Sequence, residues 1–240
     1  MAMNSVVINN QKGGIGKTTS SRHQYWHFVE RGMRTLGIDL DIQGNFTRTL
    51  LNMGAANGIA LPVDEFGRPK LPEGVLRASG LFEADNSDQP LQVGPNAFLI
   101  GADPGMLDVE REDLDEVVAA GQKRLAELAQ DYDVAIIDTG TSVSGLLVVA
   151  LSVADFAVSP CKHDRDAIEG LMGFFTNVRR VAERGRGQAG DALGAHDGEV
   201  GARVGAHHLH GRAVAVLEHR TEALGRAGGA AGLGGAAAER

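Results

Sequence analysis

The residues best suited to chemistry form a glycine-rich segment at 11–19, QKGGIGKTT. It follows a short β-branched run at 5–9 and leads into a helix candidate at 18–31. Small residues in such a turn let backbone N–H groups point inward, and the start of the helix adds positive potential. The segment therefore predicts a cradle for phosphate groups.

Two side chains of this segment suit a nucleotide that carries magnesium. Lys17 would hold the β- and γ-phosphates, and the Thr18 hydroxyl would bind Mg²⁺, which prefers oxygen ligands and bridges the same two phosphates. Thr18 is thus a predicted metal ligand as well as a nucleotide contact. The predicted nucleotide contacts are Gly13, Gly14, Ile15, Gly16, Lys17, Thr18 and Thr19.

The loop departs from the general pattern G-x-x-x-x-G-K-[ST], because Gln11 stands where the first glycine is expected. It carries instead a second lysine, Lys12, five residues before Lys17. With this two-lysine loop the sequence resembles the ParA/MinD family of partition and positioning ATPases, in particular its small Soj-like ParA members. The resemblance implies ATP and Mg²⁺ as cofactors. It also implies a homodimer in the ATP state, in which Lys12 acts in trans on the partner's phosphates, so that hydrolysis requires dimerisation.

A second stretch, 37–47 (GIDLDIQGNFT), is similar to the D-x-D-x-Q-G-N-x-T segment that follows the family's second strand. The resemblance implies that Asp39 binds a water on the magnesium ion and that Asp41 orients or deprotonates the attacking water. Aspartates at strand ends can also be ordinary solvated carboxylates. Their distance after the phosphate loop favours the functional interpretation.

A third stretch, 132–142 (YDVAIIDTGTS), resembles the family's Walker B strand, which implies that Asp138 holds magnesium. Gly140 and Thr141 stand where the family usually has two prolines, and this departure predicts a looser switch loop. A weaker match, 155–170, is similar to the family's strand, proline and helix start. The resemblance extends over about residues 4–177 and ends where the composition changes.

Apolar runs predict the elements that must position these residues. Strands are predicted at 5–9, 34–40, 97–100, 132–138 and 156–159, and helices at 18–31, 106–130, 143–153 and 167–182. Residues 57–95, rich in Gly, Pro, Asp and Asn, indicate a long connection with one short helix. The alternation predicts an α/β P-loop NTPase: a mainly parallel β-sheet, flanked by helices on both faces, with ligands at the carboxyl ends of its strands.

The composition limits the classes of protein. A chain of 240 residues, 43% hydrophobic, can bury one sizeable core but not two ordinary domains. The single cysteine, Cys161, cannot form an internal disulfide or hold an iron–sulfur cluster, and no window is apolar enough for a membrane span. We therefore expect a cytoplasmic, bacterial protein. The net charge of -8 argues against general affinity for polyanions but leaves room for a local basic patch.

Residues 183–240 differ from the rest: 14 Gly and 14 Ala stand among 58 positions, with only nine Leu or Val. So few large apolar residues cannot offset the entropy of ordering, so no core layer is expected there. From 178 to 220 every residue type can be encoded by a codon starting with G or C, as a slipped reading frame in a GC-rich gene would produce. We therefore predict a P-loop ParA-type ATPase domain at 1–182 and a tail at 183–240 that is frame-shifted or naturally disordered.

Histidines and arginines outside the motifs have weaker interpretations. His23 and His27 lie four apart on one helix and could bind a metal, but no acidic partner completes a zinc pattern, which favours surface or packing roles. The histidines at 207, 208 and 210 fall in the suspect tail. Arg179 and Arg180 could belong to a DNA-binding patch or simply complement the dipole of a helix C-terminus.

The resemblance implies a partition protein for plasmids or chromosomes. ATP would close the dimer, the dimer would bind nonspecific DNA on the nucleoid, and a ParB-like centromere-binding protein would stimulate hydrolysis. Three alternatives stay open. They are a MinD-like positioning ATPase, which needs an amphipathic membrane helix; a carboxylate-activating synthetase on the same fold, against which Lys12 argues; and a defective, truncated ParA product if the tail is out of frame.

Overall fold

The computed structural model describes residues 3–142, 144–161, 172–174, 176, 203–209 and 212–218. Its strands are β1 (Asn4–Ile8), β2 (Thr35–Leu40), β3 (Leu91–Gly94), β4 (Ala97–Ile100), β5 (Val134–Thr139), β6 (Phe156–Cys161), β7 (Arg203–Leu209) and β8 (Arg212–Glu218). Its helices are α1 (Lys17–Glu30), α2 (Asn45–Ala56), α3 (Met106–Val109), α4 (Leu114–Leu128) and α5 (Gly145–Val153), with a 3₁₀ helix at Ser79–Phe82.

The strands form one sheet in the order β3-β4-β2-β5-β1-β6-β8-β7. The pairs β1–β5, β1–β6, β2–β5 and β2–β4 are parallel, whereas β3–β4, β6–β8 and β7–β8 are antiparallel. The predicted α/β class with a mainly parallel sheet is confirmed. The phosphate-loop strand β1 lies in the middle, so the ends of β5 and β6 flank the loop that follows it.

Each face of the sheet carries its own apolar layer, because successive side chains of a strand point to opposite faces. Val7 of β1 packs in the layer that α4 and α5 cover, together with Leu125 and Leu147. Its neighbours Val6 and Ile8 pack in the layer covered by α1 and α2. The central strands are thus buried on both sides, as parallel strands between helices must be.

The helix predicted at 106–130 is wrong as a single element, since it divides into α3 and α4. Asp113 has extended backbone, and its side chain accepts hydrogen bonds from the backbone N–H groups of Asp115 and Glu116. This N-cap starts a new helix and satisfies donors that would otherwise lack partners. Among the described residues, no helix is long and apolar enough to cross a membrane.

Within residues 3–161 the structure adds two elements to those predicted. Helix α2 begins at Asn45, within the GNFT sequence, and it buries Phe46, Leu50 and Leu51 against the sheet. Strand β3 closes the long 57–95 connection by pairing antiparallel with β4. The rest of that connection contains the 3₁₀ helix and a small hairpin, in which Val63 and Pro69 form an isolated bridge.

Two segments of the 183–240 tail lie within the described residues. The backbone of β8 pairs with β6, and β7 pairs with β8, so these segments extend the sheet beyond the parallel strands. The composition did not predict these two strands, although the alternation of Val with Ala in RAVAVLE is compatible with a strand. The expectation that the tail forms no core layer stays a prediction. The reading-frame hypothesis concerns the gene and stays a prediction.

The helix predicted at 167–182 lies mostly outside the described residues. Within that range the structure describes only residues 172–174 and 176, and these are helical.

Candidate nucleotide-binding site

The glycine-rich loop connects the end of β1 to the first turn of α1. Gly14 (φ 70°) and Gly16 (φ 95°) adopt left-handed backbone, which side-chain-bearing residues rarely tolerate. No atom of the described residues lies within 4 Å of a Cβ placed on Gly13 or Gly14, so the loop is open on the side where those atoms would point. Ile15 points into the protein and is buried, whereas Thr19 is exposed on the first turn of α1.

Lys17, the first residue of α1, folds back across this loop. Its side chain is 8% exposed, and Nζ lies 3.4 Å from the carbonyl oxygen of Lys12, to which it donates a hydrogen bond. Burial lowers the pKa of Lys17, while the nearby charges of Asp138 and Asp41 oppose that shift. Lys17 therefore places a buried ammonium group at the glycine-rich loop, where it could bind a phosphate.

Asp138 stands near the end of β5 and connects that strand to α1. The Thr18 hydroxyl donates to Oδ2 at 2.8 Å, and the Ser21 hydroxyl donates to Oδ1 at 2.7 Å. The carboxyl is fully buried, and this burial raises its pKa to about 6, although the two hydroxyl donors partly oppose the rise. The predicted metal ligands Thr18 and Asp138 are therefore in direct contact.

Asp39 occupies the equivalent position near the end of β2. Its Oδ2 accepts two hydrogen bonds of 2.7 Å from Thr47, one from the backbone N–H and one from the hydroxyl. Its Oδ1 accepts a third, 3.1 Å, from the backbone N–H of Asp41. Burial, helped by the charge of Asp138, raises the pKa of Asp39 to about 7.

Asp41, just after β2, is more accessible than the other two aspartates. Its Oδ1 accepts a hydrogen bond from the backbone N–H of Gln43 at 3.0 Å. A Cβ placed on Gly140 would lie 3.6 Å from the same oxygen, so the carboxylate of Asp41 stands beside the segment that follows β5. The structure thus brings all the predicted carboxylates and Lys17 to one edge of the sheet.

Two buried asparagines that sequence reasoning missed connect the loop to its neighbours. Asn9 Nδ2 donates to the Thr139 hydroxyl at 2.8 Å and to the carbonyl oxygen of Gly140 at 3.1 Å. Asn10 Oδ1 accepts from the backbone N–H of Lys12 at 2.9 Å, and Asn10 Nδ2 donates to the end of β6. The available signal was two adjacent amides immediately after an apolar strand.

The weaker candidates gain no support. His27 Nδ1 is 2.8 Å from Arg31 Nη1, and no group of three or more His, Cys, Asp or Glu in the described residues could hold a metal ion. His207 and His208 belong to β7, and His210 lies outside the described residues. Arg179 and Arg180 also lie outside them.

Comparison with known proteins assigns this chain to a family. A family model described as an AAA domain matches residues 3–189. Protein IncC of Escherichia coli is 32% identical over 193 residues, which cover 76% of this chain and 47% of IncC. The chromosome-partitioning ATPase Soj of Thermus thermophilus is 28% identical over 176 residues, covering 73% of this chain and 61% of Soj. The chain therefore spans about half the length of IncC and somewhat more of Soj.

Solved structures share the fold. A plasmid partition protein from Borrelia burgdorferi aligns with a TM-score of 0.62 at 23% identity, covering 75% of this chain and 74% of its own. Cobyrinic acid a,c-diamide synthase from Mycobacterium smegmatis, with bound ADP and magnesium, aligns with a TM-score of 0.60 at 23% identity, covering 75% and 69%. The family model covers most of the chain, and one of the two relatives, Soj, is named a chromosome-partitioning ATPase. The chain belongs to the AAA-domain family, in its ParA/MinD branch of P-loop ATPases.

Proposed function

We propose that this chain binds and hydrolyses ATP with magnesium and acts as a partition protein in plasmid or chromosome segregation. The observation that carries the proposal is the meeting of Lys17, Thr18, Asp39 and Asp138 beside an open, glycine-rich loop at the carboxyl ends of β1, β2 and β5. Parallel sheets bind ligands at this edge, and the start of α1 supplies N–H groups for phosphate.

The residues present fit both nucleotide and metal. Asp39 and Asp138 are fully buried on neighbouring strands, and each has a raised pKa. Two adjacent buried carboxylates are costly without a compensating cation, and oxygen ligands of this kind suit Mg²⁺. Thr18, Asp39 and Asp138 would hold the ion. When bound, it would neutralise charge that develops on the phosphate oxygens.

Other residues of the chain would bind the phosphates and activate the attacking water. Lys17 would hold the phosphates, and backbone N–H groups from Gly13 to Thr19 would surround them. Asp41, the accessible carboxylate beside the segment after β5, would orient the attacking water and accept its proton. Lys12 would reach the phosphates of a second copy, so that hydrolysis takes place only in a homodimer.

We further propose the partners that partition names suggest: a ParB-like centromere-binding protein and nonspecific DNA, which would bring the dimer to the nucleoid. Two kinds of relative support this proposal, the chromosome-partitioning ATPase Soj and the chromosome partitioning protein ParA. A MinD-like positioning role is not favoured, because the names of the relatives Soj and ParA refer to chromosome partitioning.

Thermal unfolding with and without Mg-ATP tests the nucleotide site first. A ligand that binds only the folded state adds about 2.7 kcal/mol of stability at a concentration one hundred times its Kd. We expect such a shift in the parent and none in Lys17→Ala, with Lys123→Ala, an exposed lysine on α4, behaving like the parent. Absence of the shift in the parent would overturn the proposal. Phosphate release and sedimentation with ATP then test hydrolysis and dimerisation.

A further inference from the structure

A groove outside the nucleotide site runs between the start of α2 and the 57–95 connection. Its volume is about 720 Å³. Three cationic side chains line it, Arg48 from α2, Lys70 from the end of the small hairpin and Arg77 from just before the 3₁₀ helix, together with a single carboxylate, Glu73. We call this surface the α2 groove. The chain as a whole is acidic, so three cations at one concavity form a local positive patch.

None of these cations forms an ion pair within the described part of the chain. The ion pairs found there join Arg68 to Asp64, Arg111 to Asp108 and Arg124 to Glu127, and none involves a cation of the α2 groove. Arg48 donates to the backbone oxygen of Gln43 and to Asn45, and Arg77 donates to the backbone oxygen of Pro72. Their charges therefore remain available to an anion.

Hydrogen bonds within the hairpin hold the segment that carries Lys70. The backbone N–H of Lys70 donates to the carbonyl of Pro62 at 2.9 Å, and that of Asp64 donates to the carbonyl of Arg68 at 2.9 Å. The Arg68 guanidinium is held by Asp64 at 2.8 Å, so it is already paired. Lys70 is the cation that this hairpin contributes to the α2 groove.

The floor of the α2 groove is continuous with the nucleotide site. Thr47 lines the groove, and the same residue donates both of its hydrogen bonds to Asp39. Its hydroxyl also accepts from the backbone N–H of Ala102, another groove residue, at 2.8 Å. An occupant of the groove would thus touch the helical turn that positions Asp39.

We propose that the α2 groove binds the phosphate backbone of double-stranded DNA, an inference that rests on the partition function proposed above. Arg48 and Lys70 are exposed and Arg77 is half-buried. Arginine and lysine side chains make many of the phosphate contacts of DNA-binding proteins, and exposed ones can reach the outside of a duplex. Through Thr47, the contact would also respond to the state of the ATP site.

Fluorescence anisotropy with a labelled 30-base-pair duplex of arbitrary sequence, in Mg-ATP and over a range of salt, tests the assignment. The variants are Lys70→Ala, Arg77→Ala and their combination. Arg111→Ala, an exposed arginine on the 103–113 segment, is the matched control. Each contact removed should lower the slope of log affinity against log salt by about 0.9, so the double variant should lose about 1.8 while Arg111→Ala keeps the parental slope.

ATP turnover and thermal unfolding of the same variants separate the possible failures. Parental turnover and stability in the double variant, with weakened DNA binding, support the α2 groove. Parental affinity and slope in the double variant overturn it while leaving the partition function intact. A parent that binds ATP but no duplex overturns both the groove and the proposed DNA binding. If Arg77→Ala fails to fold, two other variants test the assignment. Lys70→Ala must lower the slope of log affinity against log salt, and Arg77→Lys must keep the parental slope; any other result overturns the α2 groove as the DNA contact.

Discussion

Asp39 and Asp138 are direct cross-strand partners on the parallel strands β2 and β5. Both are fully buried, and the charge of Asp138 contributes to the raised pKa of Asp39. Hydroxyl and N–H donors surround each carboxyl group, yet burial outweighs them in setting both pKa values. Ionisation of this pair therefore lowers the stability of the metal-free protein, and a bound cation would offset that loss.

The first prediction concerns the loss of stability caused by the buried Asp138 carboxylate. Because the folded-state pKa of Asp138 is about 6, above its ordinary value of 3.8, the folded protein binds this proton more tightly than the unfolded chain, and stability falls as pH rises from about 4 to 6. In Asp138→Asn, one of the two hydroxyls that contact this side chain can turn to accept from the amide N–H, while the other keeps donating to the amide oxygen. We expect the metal-free variant to exceed the parent by on the order of 2 to 3 kcal/mol at pH 8, and by little at pH 4.

Urea unfolding in EDTA at several pH values measures that difference. Asp108→Asn, at an exposed aspartate of α3, serves as control and should show no comparable gain at pH 8. A parent and an Asp138→Asn variant of equal stability at both ends of the range would contradict the assigned effect of burial.

The second prediction separates the two lysines of the loop. Lys17 lies across the loop with Nζ close to the Lys12 carbonyl, so Lys17→Ala should abolish ATP binding. Lys12→Ala should retain ATP binding but lose hydrolysis and dimerisation, because its proposed target is the partner's nucleotide. Calorimetric titration and sedimentation velocity distinguish these outcomes. Loss of ATP binding in both variants would remove the trans role of Lys12.

The third prediction concerns Asp41. Removal of the proposed base should leave nucleotide binding intact, because Asp41 is not among the predicted phosphate or metal ligands. Asp41→Ala is therefore expected to accumulate as an ATP-bound dimer with turnover reduced by roughly two to four orders of magnitude. Turnover at the parental rate in this variant would refute the role.

The fourth prediction concerns Asn9, which holds the start of the segment after β5. Asn9→Ala leaves the Thr139 hydroxyl and the Gly140 carbonyl without their donor, which should cost about 1 to 3 kcal/mol of stability. Because Gly140 lies beside Asp41, kcat should fall more than the affinity for ATP. Asn4→Ala, at the exposed start of β1, is the matched control. Equal losses in kcat and affinity would point to a general structural effect.

The fifth prediction tests the packing beneath β2. A Cβ on Gly37 would lie 2.7 Å from Leu50 Cδ1 and 3.1 Å from Tyr25 Cε2, so Gly37→Ala must push α1 or α2 away from the sheet. We expect a loss of about 1 to 3 kcal/mol in urea unfolding. Gly13→Ala, where the added atom meets no described atom within 4 Å, should leave the stability of the nucleotide-free protein unchanged.

Sequence patterns predicted the strands that carry Asp39 and Asp138, because apolar runs ending in aspartate are local features. They could also have revealed more. The spacing of Phe46, Leu50 and Leu51 is that of an amphipathic helix, and Asp113 followed by Glu116 is typical of a helix start. By contrast, the contacts of Asn9 with Thr139 and Gly140 span about 130 positions, and no local pattern encodes such a pairing.

The parallel arrangement of β1, β2 and β5 also has a consequence for how the site arises during folding. The hydroxyl of Thr18 meets Asp138 across 120 positions of sequence, and Ser21 meets it across 117. Contacts between such distant positions require closure of long loops before they return any stabilisation, which makes parallel sheets slow to assemble. We therefore expect Thr18 and Asp138 to come together only once β1 and β5 have paired. ATP and magnesium are therefore expected to stabilise the folded protein without accelerating the early steps of folding.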